Sequence, residues 1–305
     1  MTEIKKIAIL GAGAMGAYFA GSFFNTKKFD TCIIARGERF EKLKTKGLVI
    51  NKTPCYVPVV HPEKADSPVD LIIVAVKNHH LVAAAKDLKP FVNGSTIIMS
   101  VMNGLDSEAF LGSVYGMDKV LYTVSVGIDA LRQDNEITYT RPGMHYFGED
   151  ENKKLSDRVI QVQQAFDKAG IVYETPEDML RIMWWKFMIN VGMNQASAVM
   201  RAPYGVFQTS PDARGLMESL MNEVINVAQA VNVNLTGKDI KDWYQFLDTL
   251  APQGKTSMLQ DIEAGRKTEI EIFGEKVVAL GRENHIPTPV NQAVSQIIRV
   301  LEQKS

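Results

Sequence analysis

Lys5-Lys6-Ile7-Ala8-Ile9-Leu10-Gly11-Ala12-Gly13-Ala14-Met15-Gly16 is an apolar run followed by a glycine-rich turn, and it leads into a helix-compatible stretch, Ala17-Tyr18-Phe19-Ala20. This strand–turn–helix context is the one in which G-x-G-x-x-G holds a dinucleotide. Gly11 permits the tight turn, Gly13 lets the backbone approach a pyrophosphate, and Gly16 lets the helix pack against the strand. Ala12, Ala14 and Met15 complete the turn. The helix N-terminus presents free N–H groups and a positive dipole end to the phosphates. A second apolar run, Cys32-Ile33-Ile34-Ala35, ends at Arg36, about 20 residues beyond Gly16, where NAD-binding folds place an acid for the ribose. A cation there suits a 2′-phosphate, so the expected cofactor is NADP(H). Alternatively Arg36 is an ordinary solvated strand-end charge, or Glu38, which lies nearby, serves an NAD ribose instead.

The same stretch, Ile7 to Phe24, follows two lysines and is apolar enough to be weighed as a signal peptide or a membrane span. Its four glycines weaken a helix, and a second strand follows at the spacing a nucleotide fold requires. The 305 residues suffice for two domains, and 46% hydrophobic with 23% charged residues is the balance of a soluble globular protein. A net charge of −1 supplies no basic field for nucleic acid and no polybasic membrane patch. Only Cys32 and Cys55 occur, without metal-ligand spacing. That argues against a disulfide framework and a metal site, and fits the cytoplasm.

Asp70 to Val76 and Thr96 to Val101 are continuous buried-strand patterns, and a helical stretch, Leu81 to Leu88, lies between them. Leu121 to Ile128 and Glu136 to Phe147 read as further strands, with Arg141-Pro142-Gly143 as a turn between ladders. A helix over Lys154 to Ala169, capped by Gly170, precedes a last short strand, Ile171 to Glu174. Beyond about Glu177 the pattern is helical, at Met179–Met200, Ala213–Val231, Ile240–Leu250, Thr268–Asn284 and Pro289–Gln303. The expected fold is α/β. A Rossmann-like, doubly wound parallel sheet over residues 1–176 is followed by an all-helical domain over residues 177–305.

Ligands of open parallel sheets bind beyond the carboxyl ends of the strands. Arg36, Lys77 and Asn103 stand at such ends. Lys77 is either a second cation near the adenosine or a solvated strand-end lysine. Asn103, before Gly104, either bridges the nicotinamide ribose and substrate or serves as a turn residue. In the helical half, Trp184-Trp185-Lys186-Phe187-Met188-Ile189-Asn190-Val191-Gly192-Met193-Asn194 places Lys186, Asn190 and Asn194 at i, i+4 and i+8, along one helix face. Such polar groups amid apolar bulk need partners, which a hydroxy- and carboxylate-bearing substrate supplies. A partly desolvated lysine also becomes a usable general acid. The alternative is a half-exposed face with an ordinary lysine. A second polar cluster runs from Lys255 to Ile270; there Ser257 could cap a helix and Thr268-Glu269 begin another.

GAGAMG, Asn103-Gly104, WWKFMINVGMN and SMLQDIEAGRKTEIE, in this order, resemble 2-dehydropantoate 2-reductases, the ketopantoate reductases, from Ile7 to about Leu301. The resemblance implies an NADP-dependent enzyme that reduces 2-dehydropantoate to (R)-pantoate, on the route to pantothenate and coenzyme A. By that likeness Lys186 is the proton donor, and Asn103, Asn190, Asn194 and Ser257 contact substrate. Glu269 helps hold cofactor and substrate. The glycine-rich turn, Arg36 and Lys77 bind NADPH, with Asn103 and Ala130 beside the nicotinamide ribose. The family also has Pro-Asn-Gly after the catalytic helix, where this chain reads Pro203-Tyr204-Gly205. Tyr204 then takes the place of a substrate-binding asparagine. The expected partners are a small-molecule substrate and a second copy in a homodimer. Open alternatives are a reductase of another 2-oxo acid and an NADPH-sensing protein without turnover.

Overall fold

The computed structural model describes residues 3–303. Its strands are β1 (Lys6–Leu10), β2 (Asp30–Ile34), β3 (Leu48–Ile50), β4 (Thr53–Cys55), β5 (Val59–Val60) and β6 (Leu71–Val74). They continue with β7 (Ile97–Ser100), β8 (Val120–Val126), β9 (Leu131–Gln133), β10 (Glu136–Thr138), β11 (Met144–Gly148) and β12 (Tyr173–Glu174). The large sheet runs β12-β11-β8-β7-β6-β1-β2-β5. Strand β1 lies at its centre, parallel to β2 and β6, with Ile9 opposite both Ile33 and Ile73. Side chains of β1, β6 and β7 are buried on both faces, which is why these strands read as unbroken apolar runs.

Helices cover both faces. On one, α1 (Ala14–Asn25) sets Ala17, Phe19 and Phe23 against Ile7, Ile9 and Ile73. After α2 (Gly37–Lys46), α3 (Asn78–Asp87) and α4 (Ser107–Tyr115) place Leu81, Ala85 and Leu111 against Ala8, Ile72 and Ile98 on the other. Helix α5 (Asp157–Ala169) returns to the α1 face through Val159 and Phe166. Ser156 caps its start, and Gly170 closes it at φ 67°, a left-handed turn that suits glycine. The sheet departs from the all-parallel expectation at one edge, where β11 runs antiparallel to β8. The connection between β8 and β11 is spent on β9 and β10 and never crosses a face of the sheet as a helix. A second sheet, β4-β3-β10-β9, joins chain segments far apart in sequence. Arg141 to Gly143 thus turns the chain from one sheet into the other.

No strand follows β12 among the described residues. Helix α6 (Met179–Ile189) continues through a π-helical turn, Asn190–Asn194, into α7 (Gln195–Met200). Met179–Met200 is therefore not the uniform helix its periodicity implies. Then come α8 (Tyr204–Thr209), α9 (Pro211–Ala230), α10 (Gly237–Leu247), α11 (Ser257–Glu263), α12 (Gly274–Glu283) and α13 (Pro289–Gln303). The run expected from Thr268 splits into a 3-10 turn, Ile270–Ile272, and α12. The chain divides into two compact units between Ile182 and Met183, inside α6, where the sequence places a boundary near Pro176. No helix is long and apolar enough to cross a membrane among the described residues.

Candidate active site

The glycine-rich turn joins β1 to α1, and its three glycines do different work. Gly11 has φ +98°, and a Cβ there would stand 2.5 Å from the Ala75 carbonyl. A Cβ at Gly16 would lie 1.8 Å from the Gly11 carbonyl oxygen and 3.2 Å from the Ala75 Cβ. Both glycines are demanded by the chain's own packing. Gly13 is not: a Cβ there meets nothing within 4 Å. Its smallness leaves open space before the N-terminus of α1, whose cap carries no side-chain hydrogen bond. The N–H groups of the first turn therefore face that space without a side-chain acceptor, which fits a bound phosphate.

Arg36 ends the segment after β2. Its guanidinium is gripped by Asp87, with Nε donating at 3.1 Å and Nη2 2.5 Å from the second carboxylate oxygen. Lys77 is half-buried at the N-terminus of α3, and Ala130 is half-buried between β8 and β9. Asn103 is exposed after β7, and the following Gly104 has φ +96°. Beneath that loop the Ser100 hydroxyl donates to Ser107 at 2.7 Å, and Ser107 donates to the Glu108 carboxyl at 2.8 Å. Glu108 is only 2% exposed, and burial pushes its carboxyl pKa up to about 7.

In the second unit the π turn decides the geometry. A straight α-helix would rotate Asn194 about 80° away from Lys186. The i→i+5 turn over Asn190–Asn194 takes up an extra residue and swings Asn194 back towards the line of Lys186 and Asn190. Gly192 sits inside the turn, and a Cβ there would stand 2.4 Å from Met221 Cγ of α9. Asn194 donates to the Asn190 side-chain oxygen at 3.4 Å, while its own oxygen accepts from the Ser257 hydroxyl at 3.3 Å and the Met258 N–H at 3.4 Å. Three expected site residues are thus joined. Lys186, one turn before them, has no hydrogen-bond or ion-pair partner among the described residues. Burial alone pulls its ammonium down to about 8.

Ser257 is not the cap of α11, as its position suggested. Thr256 fills that role, its hydroxyl accepting from Leu259 N–H at 3.2 Å and donating to buried Ser197 at 3.2 Å. Ser257 is thereby freed to lie exposed on the first turn with its hydroxyl on Asn194. Thr256 and Ser197 escaped sequence reasoning; the only available signal was the Thr-Ser pair ahead of an apolar run. Tyr204 begins α8. Its N–H donates to the Gly254 carbonyl at 2.9 Å, and its ring fills the space a Gly254 Cβ would need. The Tyr204 hydroxyl has no partner among the described residues. Glu269 is half-buried immediately before the 3-10 turn.

A phosphate-ready turn on a mostly parallel sheet, followed by a helical unit carrying an enclosed lysine among carboxamides, defines a two-domain oxidoreductase of the dehydrogenase type. Residues 7–152 match the family described as ketopantoate reductase PanE/ApbA, and residues 178–302 match its C-terminal part. The chain belongs to the ketopantoate reductase family. It is 25% identical over 300 residues to the 2-dehydropantoate 2-reductase of Archaeoglobus fulgidus, covering 98% of this chain and 99% of that one. The crystal structure of 2-dehydropantoate 2-reductase from Geobacter metallireducens superposes with a TM-score of 0.87 at 25% identity, over 98% and 100% of the two chains. D-mandelate dehydrogenase, solved with NADH and anilino(oxo)acetate, superposes with a TM-score of 0.90 at 20% identity over 98% of both chains.

Proposed function

We propose that this chain reduces 2-dehydropantoate to (R)-pantoate with NADPH. The observation that carries the reading is Lys186, an enclosed ammonium without a protein partner, in line with the joined Asn190, Asn194 and Ser257. When bound, the dihydronicotinamide supplies the hydride for the ketone carbon. Lys186 gives its Nζ proton to the ketone oxygen, and until then its charge stabilises the negative charge growing there. A group titrating near 8 is still mostly protonated at neutral pH and gives up its proton readily. The carboxamides of Asn190 and Asn194 and the Ser257 hydroxyl orient the substrate's hydroxyl and carboxylate. On the cofactor side, the Gly11–Gly16 turn takes the pyrophosphate, Arg36 and Lys77 the adenosine end, and Asn103, Ala130 and Glu269 the nicotinamide end.

A reductase of a different 2-oxo acid is the second reading, and Tyr204 favours it. An aromatic ring stands where the family resemblance calls for an asparagine. The likeness to D-mandelate dehydrogenase shows that this fold also serves a 2-hydroxy acid with an aryl group. The test follows NADPH consumption with ketopantoate and with its analogue lacking the terminal hydroxyl. A site built to bond that hydroxyl discriminates between them by a factor on the order of 10⁴. Equal turnover would leave only the broader activity, reduction of a 2-oxo acid. In the same assay Tyr204→Phe distinguishes a hydroxyl that bonds substrate, whose loss costs about 1–3 kcal/mol in kcat/KM, from a ring that only packs.

A further inference from the structure

A π turn is a local distortion that a helix keeps only where its surroundings hold it, and here the hold comes from the next side chain. Gln195, the first residue of α7, is fully buried, and its Nε2 donates to the Val191 carbonyl inside the π turn at 2.9 Å. The same nitrogen donates to the side-chain oxygen of Asn291 on α13, also at 2.9 Å. Asn291 is fully buried as well. Its amide nitrogen donates to Glu223 Oε2 at 2.8 Å and to the Leu220 carbonyl at 3.2 Å. Glu223, on α9, is only 8% exposed, and its carboxylate also accepts the Val290 and Asn291 N–H groups at 2.8 and 2.9 Å, at the start of α13. Three helices thus meet on one chain of buried hydrogen bonds that ends on the π turn.

The charge at one end of this chain dictates the direction of every amide in it. A carboxylate only accepts, so Asn291 presents its nitrogen to Glu223 and its oxygen to Gln195. That oxygen demands the Gln195 nitrogen, the one end of the amide able to grip the Val191 carbonyl. Turning either amide over would set donor against donor or acceptor against acceptor. Gln195 Oε1 has no protein donor and lies where a Cβ at Gly274 would stand 2.2 Å away. Burying a carbonyl without a donor costs stability, so packing alone does not account for a glutamine at this position. We propose that Gln195, Asn291 and Glu223 are positioning residues, which lock the π turn so that Asn194 keeps its carboxamide directed at the oxo acid. Gln195 follows Asn194 directly, and its bond to Val191 spans the backbone between them. The partners lie 96 and 68 positions apart in sequence, so no local motif announces the chain. This inference rests on the substrate reading above.

A double-mutant cycle in kcat/KM for ketopantoate with NADPH tests the three residues through the one they serve. Gln195→Met keeps the volume and removes both polar ends. It should lower kcat/KM about tenfold, chiefly by raising KM for ketopantoate, and leave NADPH affinity within about twofold in a fluorescence titration. In an Asn194→Ala background the same substitution should cost less than about twofold more, because the group it orients is gone. Glu223→Gln keeps the shape and sits on another helix, so it carries the test if Gln195→Met does not fold. By releasing the direction of Asn291 it should give the same pattern at about threefold. Wild type that consumes no NADPH with ketopantoate would end the substrate reading and this proposal with it. If wild type turns over and the loss in either variant multiplies with that of Asn194→Ala, the proposal alone is overturned. Variants that lose only stability in urea unfolding, with kcat/KM unchanged, would overturn it equally by reducing the chain of bonds to core packing.

Discussion

One carboxamide oxygen, on Asn194, accepts from both the Ser257 hydroxyl and the neighbouring Met258 N–H, tying the π turn to the start of α11 across 63 positions of sequence. The bond fixes the Asn194 rotamer, which leaves its nitrogen directed at Asn190. Replacing Asn194 with alanine strands two donors and removes the contact it makes with the Asn190 side-chain oxygen. For Asn194→Ala we expect kcat/KM for the oxo acid to fall by about 10- to 100-fold. Dinucleotide affinity should be unchanged in a fluorescence titration. Parallel losses in both would mean that Asn194 supports the fold as a whole.

In the proposed role Lys186 serves as an acid only while protonated, so kcat/KM should fall as pH rises through about 8. The direction distinguishes it from a general base, which would gain activity over the same interval. Lys186→Ala should lower kcat by a factor on the order of 10²–10⁴ with NADPH binding retained. A pH profile that kept its alkaline limb in the variant would assign that limb to another group.

Gly13 and Gly16 make opposed predictions. Gly16→Ala puts a methyl 1.8 Å from a backbone carbonyl that cannot yield, and should cost about 3 kcal/mol or more in denaturant unfolding. Gly13→Ala meets open space and should leave stability within about 0.5 kcal/mol, yet weaken dinucleotide binding several-fold. A Gly13→Ala protein that binds normally would mean the space is not where the phosphates lie.

Glu108 carries its own pH signature. Folding holds its proton up to about 7, whereas the unfolded chain releases it near 4.5, so the folded state binds more protons in that window. Its contribution to stability is therefore present below the unfolded value and is lost as pH rises to 7, by about 3 kcal/mol. Glu108→Gln keeps the shape and removes the titration. The stability difference between the two proteins, followed by urea unfolding, should open between pH 4.5 and 7 in favour of the variant. A difference that stays flat would show that Glu108 is solvated.

The sheet's central strands are legible in the sequence because burial on both faces leaves an uninterrupted apolar signature, as in Leu71–Val74. The small sheet is not. Its strands are three residues long, Thr53–Cys55 contains a proline, and β3 finds its partner β10 only after most of the large sheet has been laid down in sequence. Ser257 reads as a possible cap because a hydroxyl before an apolar run is ambiguous by one residue, and only the Thr256–Leu259 bond decides it. Arg36 is legible as a strand-end cation, but its pairing with Asp87 brings together the end of β2 and the end of α3, 51 positions apart, which no spacing reveals.

The π turn has a consequence for how this protein tolerates change in length. Alignment of Lys186, Asn190 and Asn194 is a matter of counting along the backbone, and the count includes one surplus residue. Deleting Val191 would let the helix relax to ordinary i→i+4 pairing with Asn194 seven residues after Lys186, about 20° off its line, so the polar row would keep its phase. Inserting a residue that the helix takes up as ordinary α turn would instead rotate Asn194 by about 100° and should silence the reaction as completely as removing the lysine.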